Sequence, residues 1–115
     1  MWTADFLARA CAASMRSPDA AVAFTSVSID TRTLQPGALY VALRGANFDG
    51  HRFVDRAIAR GATGVLVSEP VALPDSVVVL QVRDTLLALQ MMGHAARRQF
   101  AVPVVAITGS NGKTT

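Results

Sequence analysis

The feature that most constrains the fold is the segment VPVVAITGSNGKTT, residues 102–115. A run of mostly β-branched apolar residues that leads directly into a glycine-rich turn is typical of a buried strand followed by a phosphate-binding loop. Gly109 and Gly112 allow the sharp turn that brings backbone N–H groups close to an anion. Lys113 supplies positive charge for the outer phosphates, and the hydroxyl of Thr114 or Thr115 is a ligand for Mg²⁺. The segment predicts a nucleotide-binding α/β protein.

The spacing of this loop departs from the common pattern G-x-x-x-x-G-K-[ST]. Counted back from Gly112, the first glycine of that pattern falls on Ile107, whereas the chain has Gly109 and reads G-x-x-G-K-T. The alternative interpretation is a glycine-rich turn with an exposed lysine.

The rest of the chain alternates between strand-like and helix-like segments, which favours an α/β fold. Three residues are candidate helix caps: Thr3, Asp49 and Asp84. The predicted helices cover residues 1–14, 50–60 and 85–100, and the predicted strands cover residues 23–32, 39–45, 63–68, 77–82 and 103–107. In the last helix the predicted apolar stripe consists of Leu86, Leu89, Gly93, Ala96 and Phe100. Residues 1–83 are expected to form one small α/β domain, and residues 84–115 to begin a second.

Charge and cysteine content argue against several functional classes. The net charge of +3 comes from arginines scattered along the chain, with no basic run and no accompanying aromatic ladder, so nucleic acid is not the expected partner. Cys11 is the only cysteine, which excludes a disulfide framework and a cysteine metal pair. We expect Cys11 to be a buried thiol in a cytoplasmic protein. The sequence predicts neither a membrane span nor a signal peptide.

Four motifs together carry a family resemblance. In chain order they are Asp30-Thr31-Arg32, PGALYVALRG, FDGHRF and TGSNGKTT. This combination resembles the Mur ligases of peptidoglycan precursor synthesis. Folylpolyglutamate synthetases have a similar loop but lack the upstream segment. The resemblance implies a small N-terminal UDP-binding domain of one sheet with flanking helices. The first helix, strand and phosphate loop of a truncated, Rossmann-like central ATPase domain would follow it.

The resemblance also implies an activity. Mur ligases use ATP and Mg²⁺ to phosphorylate the terminal carboxylate of a UDP-N-acetylmuramoyl peptide, and an amine then displaces the phosphate. The residues found in these motifs favour the family member that adds D-alanyl-D-alanine to the tripeptide. The alternative is the member that adds the third residue. A monomer is expected for the full-length form.

Candidate site residues follow from matching the family motifs to this sequence. The resemblance gives Lys113 and Thr114 catalytic roles, with Thr114 also near the metal. The loop that would bind ATP is Gly109, Ser110, Asn111, Gly112, Lys113, Thr114 and Thr115. The residues that would meet the uridine nucleotide are Ile29, Thr31, Arg32, Ala46, Asn47, Phe48, Asp49 and His51.

Simpler roles remain open for several of these residues. Asp49 is also a candidate helix N-cap, and His51 an ordinary first-turn residue without acid–base function. Asp30-Thr31-Arg32 is also a candidate structural turn, and Phe48 a candidate core anchor.

We expect the 115 residues to be the front piece of a longer enzyme, cut within its ATP loop and inactive by itself. Two other classes remain as alternatives. One is a non-enzymatic nucleotide-binding module that ends in a glycine-rich tail. The other is an unrelated phosphate-loop kinase or GTPase.

Overall fold

The structure, a computed structural model, describes residues 2–16 and 22–100. The predicted strand at residues 103–107 and the loop at residues 109–115 lie outside the described residues and stay predictions. The described elements, in chain order, are β1 (Trp2–Thr3), α1 (Ala4–Cys11), β2 (Ser14–Arg16), β3 (Ala23–Phe24), β4 (Val27–Ser28), β5 (Leu39–Val41), a 3-10 turn (Gly50–Phe53), α2 (Val54–Ala59), β6 (Gly64–Val67), β7 (Val78–Gln81) and α3 (Thr85–Phe100).

Five of the strands form one sheet in the order β2-β7-β6-β5-β4. The strands from β4 to β7 are parallel and lie in chain order, and β2 joins β7 in the antiparallel direction. β1 and β3 form a separate antiparallel pair. The interior strands β5 and β6 are buried at every position, as expected for parallel strands covered on both faces. The predicted α/β class is therefore confirmed.

Helices cover both faces of the sheet. Leu39 and Val41 of β5 belong to the core that includes α1 and α3, whereas Tyr40 belongs to the core that includes α2. Cys11 lies in the first core, so the prediction of a buried thiol is confirmed. The first turns of α3 share this core with α1, through the buried side chains of Ala88, Leu89 and Met92. The domain boundary near residue 83 stays a prediction.

The three predicted helix caps are confirmed. The Thr3 hydroxyl accepts a hydrogen bond from the backbone N–H of Phe6 at 3.1 Å. An Asp49 carboxylate oxygen accepts one from the N–H of His51 at 3.0 Å. An Asp84 oxygen accepts one from the N–H of Leu87 at 3.1 Å. Each cap satisfies a donor that the first turn of a helix leaves without an intrahelical partner.

The predicted single strand over residues 23–32 is wrong. The segment forms two short strands, β3 and β4, which belong to different sheets. The break falls at Thr25, which is held by the turn at Pro36 and Gly37. Its N–H donates to the Gly37 carbonyl at 3.0 Å, and its hydroxyl donates to the Pro36 carbonyl at 3.0 Å. Alternation of apolar and polar residues continues across the break, so the sequence pattern does not reveal it.

Two helix predictions also need correction. The first helix ends at Cys11, because Ala12 adopts a left-handed conformation with φ of 54°, and Ser14 begins β2. In α3 the buried face is rotated relative to the predicted apolar stripe. Leu86 is 53 % exposed, whereas Ala88 and Met92 are buried. The reason is Thr85, which is buried and whose hydroxyl donates to the Ala42 carbonyl at 2.8 Å. This bond fixes the rotation of the helix. The side chains of Ala96 and Phe100 lie outside the description.

Within residues 2–16 and 22–100, no helix combines the length and apolar character that crossing a bilayer requires.

Gly64 at the start of β6 gives a test of this packing. A Cβ at Gly64 would lie 2.6 Å from the Phe24 ring, which is fully buried. We expect Gly64→Ala to lower the free energy of unfolding by about 1–3 kcal/mol, as for other overpacked cores. Gly45→Ala is the control, because a Cβ there has no neighbour within 4 Å. Urea denaturation measures both; equal stability of the two variants would contradict the packing.

Candidate functional site

A pocket of about 650 Å³ opens where β4 and β5 end. Parallel strands point their carboxyl ends to the same edge of a sheet, and ligand sites of open α/β sheets lie outside that edge. The pocket is lined by Ile29, Asp30, Thr31, Arg32, Tyr40, Leu43, Arg44, Gly45, Phe48, Phe53, Arg56 and Leu86. Three arginines and one aspartate give the wall a positive charge, which suits an anionic ligand.

The first wall segment is the turn Asp30-Thr31-Arg32. The Asp30 carboxylate accepts the backbone N–H of Arg32 at 2.9 Å and its guanidinium at 2.8 Å. Arg60 donates to the Arg32 carbonyl at 2.8 Å and holds the turn from the other side. Hydrogen bonds from the Arg32 side chain, and then from its backbone N–H, lower the pKa of Asp30 to about 2. The turn is therefore held by hydrogen bonds, as the structural interpretation predicts, and it places the exposed Arg32 side chain at the pocket; its role in binding stays a prediction.

The second wall segment is the turn between Arg44 and Asp49. These two residues form an isolated antiparallel bridge, and the N–H of Gly45 donates to the Phe48 carbonyl at 2.6 Å. Ala46 and Asn47 are exposed at the tip of this narrow turn. The Arg44 guanidinium contacts the Asp49 carboxylate at 3.4 Å and also pairs with Glu69. The turn is therefore held at its base by charged groups and presents Phe48 beyond it.

An aromatic stack forms the third part of the wall. The rings of Phe48 and Phe53 lie 5.9 Å apart with an interplanar angle of 19°. The Arg56 guanidinium lies 5.4 Å from the centroid of the Phe53 ring, within cation–π distance. Phe48 is 49 % exposed, so one side of the stack is free to contact a ligand. An exposed aromatic ring beside guanidinium groups suits a planar base that carries phosphates.

Behind the pocket, His51 is bonded on both sides of its ring. Its Nδ1 lies 2.7 Å from an Asp49 carboxylate oxygen, and its Nε2 accepts the backbone N–H of Ser68 at 2.9 Å. Hydrogen bonds from the backbone and ring of His51 lower the pKa of Asp49. Neither Asp49 nor His51 lines the pocket.

Asp49, His51 and Glu69 offer ligand atoms that all lie within 4.8 Å of one another, a grouping that metal sites share. Here, however, both ring nitrogens of His51 already have hydrogen-bond partners. The guanidinium of Arg44 already supplies a positive charge to both carboxylates. The described contacts thus explain the cluster without an ion.

The pocket wall offers little for acid–base chemistry. Among the described residues that line it, the candidate proton donors and acceptors are Tyr40 and Asp30, and both are engaged. The Tyr40 hydroxyl donates to the Gly50 carbonyl at 2.9 Å, and burial raises the pKa of Tyr40 to about 12. The Asp30 carboxylate is engaged by Arg32.

The structure brings together four of the predicted nucleotide-binding residues: Ile29, Thr31, Arg32 and Phe48 line the pocket. Ala46, Asn47, Asp49 and His51 lie outside its wall, at the tip or base of the second turn. A binding role for each of the eight stays a prediction. The predicted ATP-binding, catalytic and metal residues, which all fall within residues 109–115, lie outside the described residues.

The candidate list drawn from the sequence leaves out eight residues of the wall, among them Phe53, Arg56 and Leu86. A signal for the first two was available, because residues three apart on a helix share a face and Phe53 closes the FDGHRF motif. Nothing in the sequence indicates that Leu86 lines the pocket, since its position depends on the hydrogen bond between Thr85 and Ala42.

Fold and pocket define a class: an α/β protein whose parallel strands end at a site suited to a nucleotide. Residues 23–105 match the family model that is described as "Mur ligase family, catalytic domain". The chain belongs to the Mur ligase family.

The chain is similar to two kinds of ligase in this family. The chain is 39 % identical over 106 residues to the UDP-N-acetylmuramoyl-tripeptide–D-alanyl-D-alanine ligase of Synechocystis, a match over 91 % of this chain and 23 % of the relative. It is 46 % identical over 97 residues to the UDP-N-acetylmuramoyl-L-alanyl-D-glutamate–2,6-diaminopimelate ligase of Chlorobium phaeobacteroides, over 77 % of this chain and 18 % of the relative. The chain thus spans about a fifth of the length of these curated relatives.

A solved structure supports the fold. MurF from Acinetobacter baumannii superposes with a TM-score of 0.77 at 31 % identity, over 87 % of this chain and 22 % of that protein. The resemblance to the Mur ligases, read from the motifs, is confirmed.

Asp30 gives a test of the pocket electrostatics. Because its folded pKa of about 2 lies below the ordinary value near 3.9, the stability that it contributes is present above pH ~4 and is lost as the pH falls toward 2. We expect Arg32→Ala to raise the pKa of Asp30 toward the ordinary value, measured by NMR titration of the carboxyl carbon. Arg9→Ala, which removes the partner of Asp5, is the control. An Asp30 that titrates near 4 in the unchanged protein would refute the paired geometry.

Proposed function

We propose that this chain is the nucleotide-binding front part of an ATP-dependent Mur ligase. Its pocket would hold the uridine diphosphate end of a UDP-N-acetylmuramoyl peptide. The observation that carries this proposal is the pocket wall, where the exposed Phe48 ring stands beside Arg32, Arg44 and Arg56 at the carboxyl ends of β4 and β5. The base would stack on Phe48, and the diphosphate would meet the guanidinium groups.

For the complete enzyme, we propose amide ligation in peptidoglycan precursor synthesis. ATP and Mg²⁺ would bind at residues 109–115, with Lys113 on the outer phosphates and Thr114 at the metal. Transfer of phosphate to the peptide carboxylate would give an acyl phosphate. The amine of the acceptor would attack its carbonyl carbon, and inorganic phosphate would leave. Such chemistry depends on positioning and electrostatic stabilisation. A cytoplasmic location fits nucleotide substrates.

The acceptor that we favour is D-alanyl-D-alanine. The residues of the motifs favour it. So do the name of the Synechocystis relative and the name of a solved Acinetobacter baumannii structure, which is called a D-alanyl-D-alanyl ligase. The second candidate adds the third residue of the peptide instead. The 46 % identity to the diaminopimelate ligase of Chlorobium phaeobacteroides supports that candidate.

The pocket assignment is tested by UDP binding to the 115-residue chain, measured by calorimetry. We expect weak but measurable binding, and we expect Phe48→Ala to weaken it by roughly fivefold to a hundredfold, the range for loss of one base–aromatic stack. Leu87→Ala is the matched control, because Leu87 is 52 % exposed, similar to Phe48, and does not line the pocket. No heat and no shifted amide signals at millimolar UDP would count against the assignment.

The ligase assignment is tested in a polypeptide extended to the length of its relatives. We expect Lys113→Ala to reduce phosphate release by about 10²–10³-fold, as for loss of other charge-stabilising groups. The 115-residue chain alone is expected to release no more ADP than its own Lys113→Ala variant. Parallel assays with D-alanyl-D-alanine and with a diamino acid, each with its UDP-peptide, distinguish the two candidates. Undiminished turnover in the extended Lys113→Ala variant would overturn the assignment.

A further inference from the structure

His51 is an enclosed polar ring next to the pocket, and the proposed binding of a nucleotide does not by itself explain its contacts. Its side chain is only 5 % exposed. The Asp49 carboxylate lies at Nδ1, and the backbone N–H of Ser68 points at Nε2. The Ser68 hydroxyl lies 3.3 Å from the same Nε2. The ring therefore lies between two fixed partners of opposite hydrogen-bonding character.

These partners determine where the ring proton lies. A backbone N–H can only donate, so Nε2 must offer its lone pair to Ser68. The one proton of a neutral imidazole is then on Nδ1, where the Asp49 carboxylate accepts it. A second proton on Nε2 would oppose the N–H of Ser68. The charged groups near the ring are the Asp49 and Glu69 carboxylates and the Arg44 guanidinium.

The ring also connects two separate segments of the chain. Asp49 closes the turn that carries Phe48, and Ser68 is the first residue after β6. The pairing of Arg44 with Glu69 makes a second connection between the same segments. Together the two connections fix the turn against the rigid end of β6. The position of the Phe48 ring over Phe53 depends on that turn.

We infer that His51 is a positioning residue, held as the neutral Nδ1–H tautomer, which fixes the Phe48 turn for nucleotide binding and neither contacts the nucleotide nor transfers a proton. Its importance for binding rests on the proposed function, whereas the tautomer and the placement of Phe48 do not. The role differs from that of a substrate ligand, which the motif resemblance gives to His51.

The first experiment uses the ligand-free chain. Ring ¹⁵N NMR at neutral pH should show His51 with a protonated Nδ1 and an unprotonated Nε2; His94→Asn identifies the signals, because His94 is the only other histidine. Contacts between the Phe48 and Phe53 rings, measured as NOEs, should be present in the unchanged chain and in His94→Asn and lost in His51→Asn. An Nε2–H tautomer, or ring contacts retained in His51→Asn, would overturn the inference.

The second experiment measures UDP affinity. The side chain in His51→Asn can still reach Asp49 but cannot reach Ser68. The side chain in His51→Gln can reach Ser68 but cannot bond Asp49 as the Nδ1 of His51 does. We expect each variant to bind UDP about five- to a hundredfold more weakly, because a turn that is no longer anchored leaves the Phe48 ring out of place and loses up to one base–aromatic stack. In the Phe48→Ala background, His51→Asn should cause no further loss, because both changes act through the same ring. A further loss of equal size there would mean that His51 acts by another route.

The two experiments separate the two claims. If the unchanged chain fails to bind UDP while the ring contacts behave as expected, the proposed function fails and the positioning role of His51 stands. If the chain binds UDP and His51→Asn and His51→Gln bind it equally well, the positioning role fails alone. Urea denaturation of each variant shows whether it remains folded, and the tautomer is measured on the unchanged chain in any case.

Discussion

Parallel pairing of β4, β5, β6 and β7 is the constraint on which the rest of the structure depends. It brings the loops after these strands to one edge of the sheet, so residues 29–32, 43–49, 68–69 and 82–86 become neighbours. Because both faces of the sheet are buried, the register is firmly set. A shift of one residue in β5 would exchange Leu39 and Val41 with Tyr40 between the two cores.

At that edge, acidic and aromatic groups orient the arginines. Arg32 is paired with Asp30, Arg44 with Asp49 and Glu69, and Arg56 lies over the Phe53 ring. Exposed ion pairs of this kind contribute little to the free energy of folding. Under the proposed function, their effect would be to restrict the conformations of long, flexible side chains before a ligand arrives, which would lower the entropy cost of binding. A diphosphate would compete with these carboxylates for the same guanidinium groups.

The sequence predicts elements and caps well where the cause is local. Thr3, Asp49 and Asp84 cap helices because a short side-chain oxygen satisfies nearby N–H groups, which needs no knowledge of the fold.

Prediction from the sequence fails where the interaction that determines the structure joins residues far apart in the chain. Thr25 is held by Pro36 and Gly37, which breaks the strand. Thr85 bonds the Ala42 carbonyl, which rotates α3 and brings Leu86 to the pocket. The partner of His51, Ser68, is 17 residues away and carries no motif.

In the proposed enzyme, the region that holds the substrate would be separate from the region where the reaction takes place. The pocket has oriented cations and a ring for stacking, and the described residues of its wall show no free acid or base at neutral pH. The helix that borders the pocket through Leu86 has 16 residues and therefore extends about 24 Å from this edge. A UDP-N-acetylmuramoyl peptide is a long substrate whose nucleotide lies at one end and whose reacting carboxylate lies at the other. Binding energy gained at the nucleotide end can orient the distant carboxylate without any catalytic group in the pocket. Under the proposed function, the described part of the chain would contribute affinity and placement, and the bond-forming chemistry would take place at the other end of the substrate.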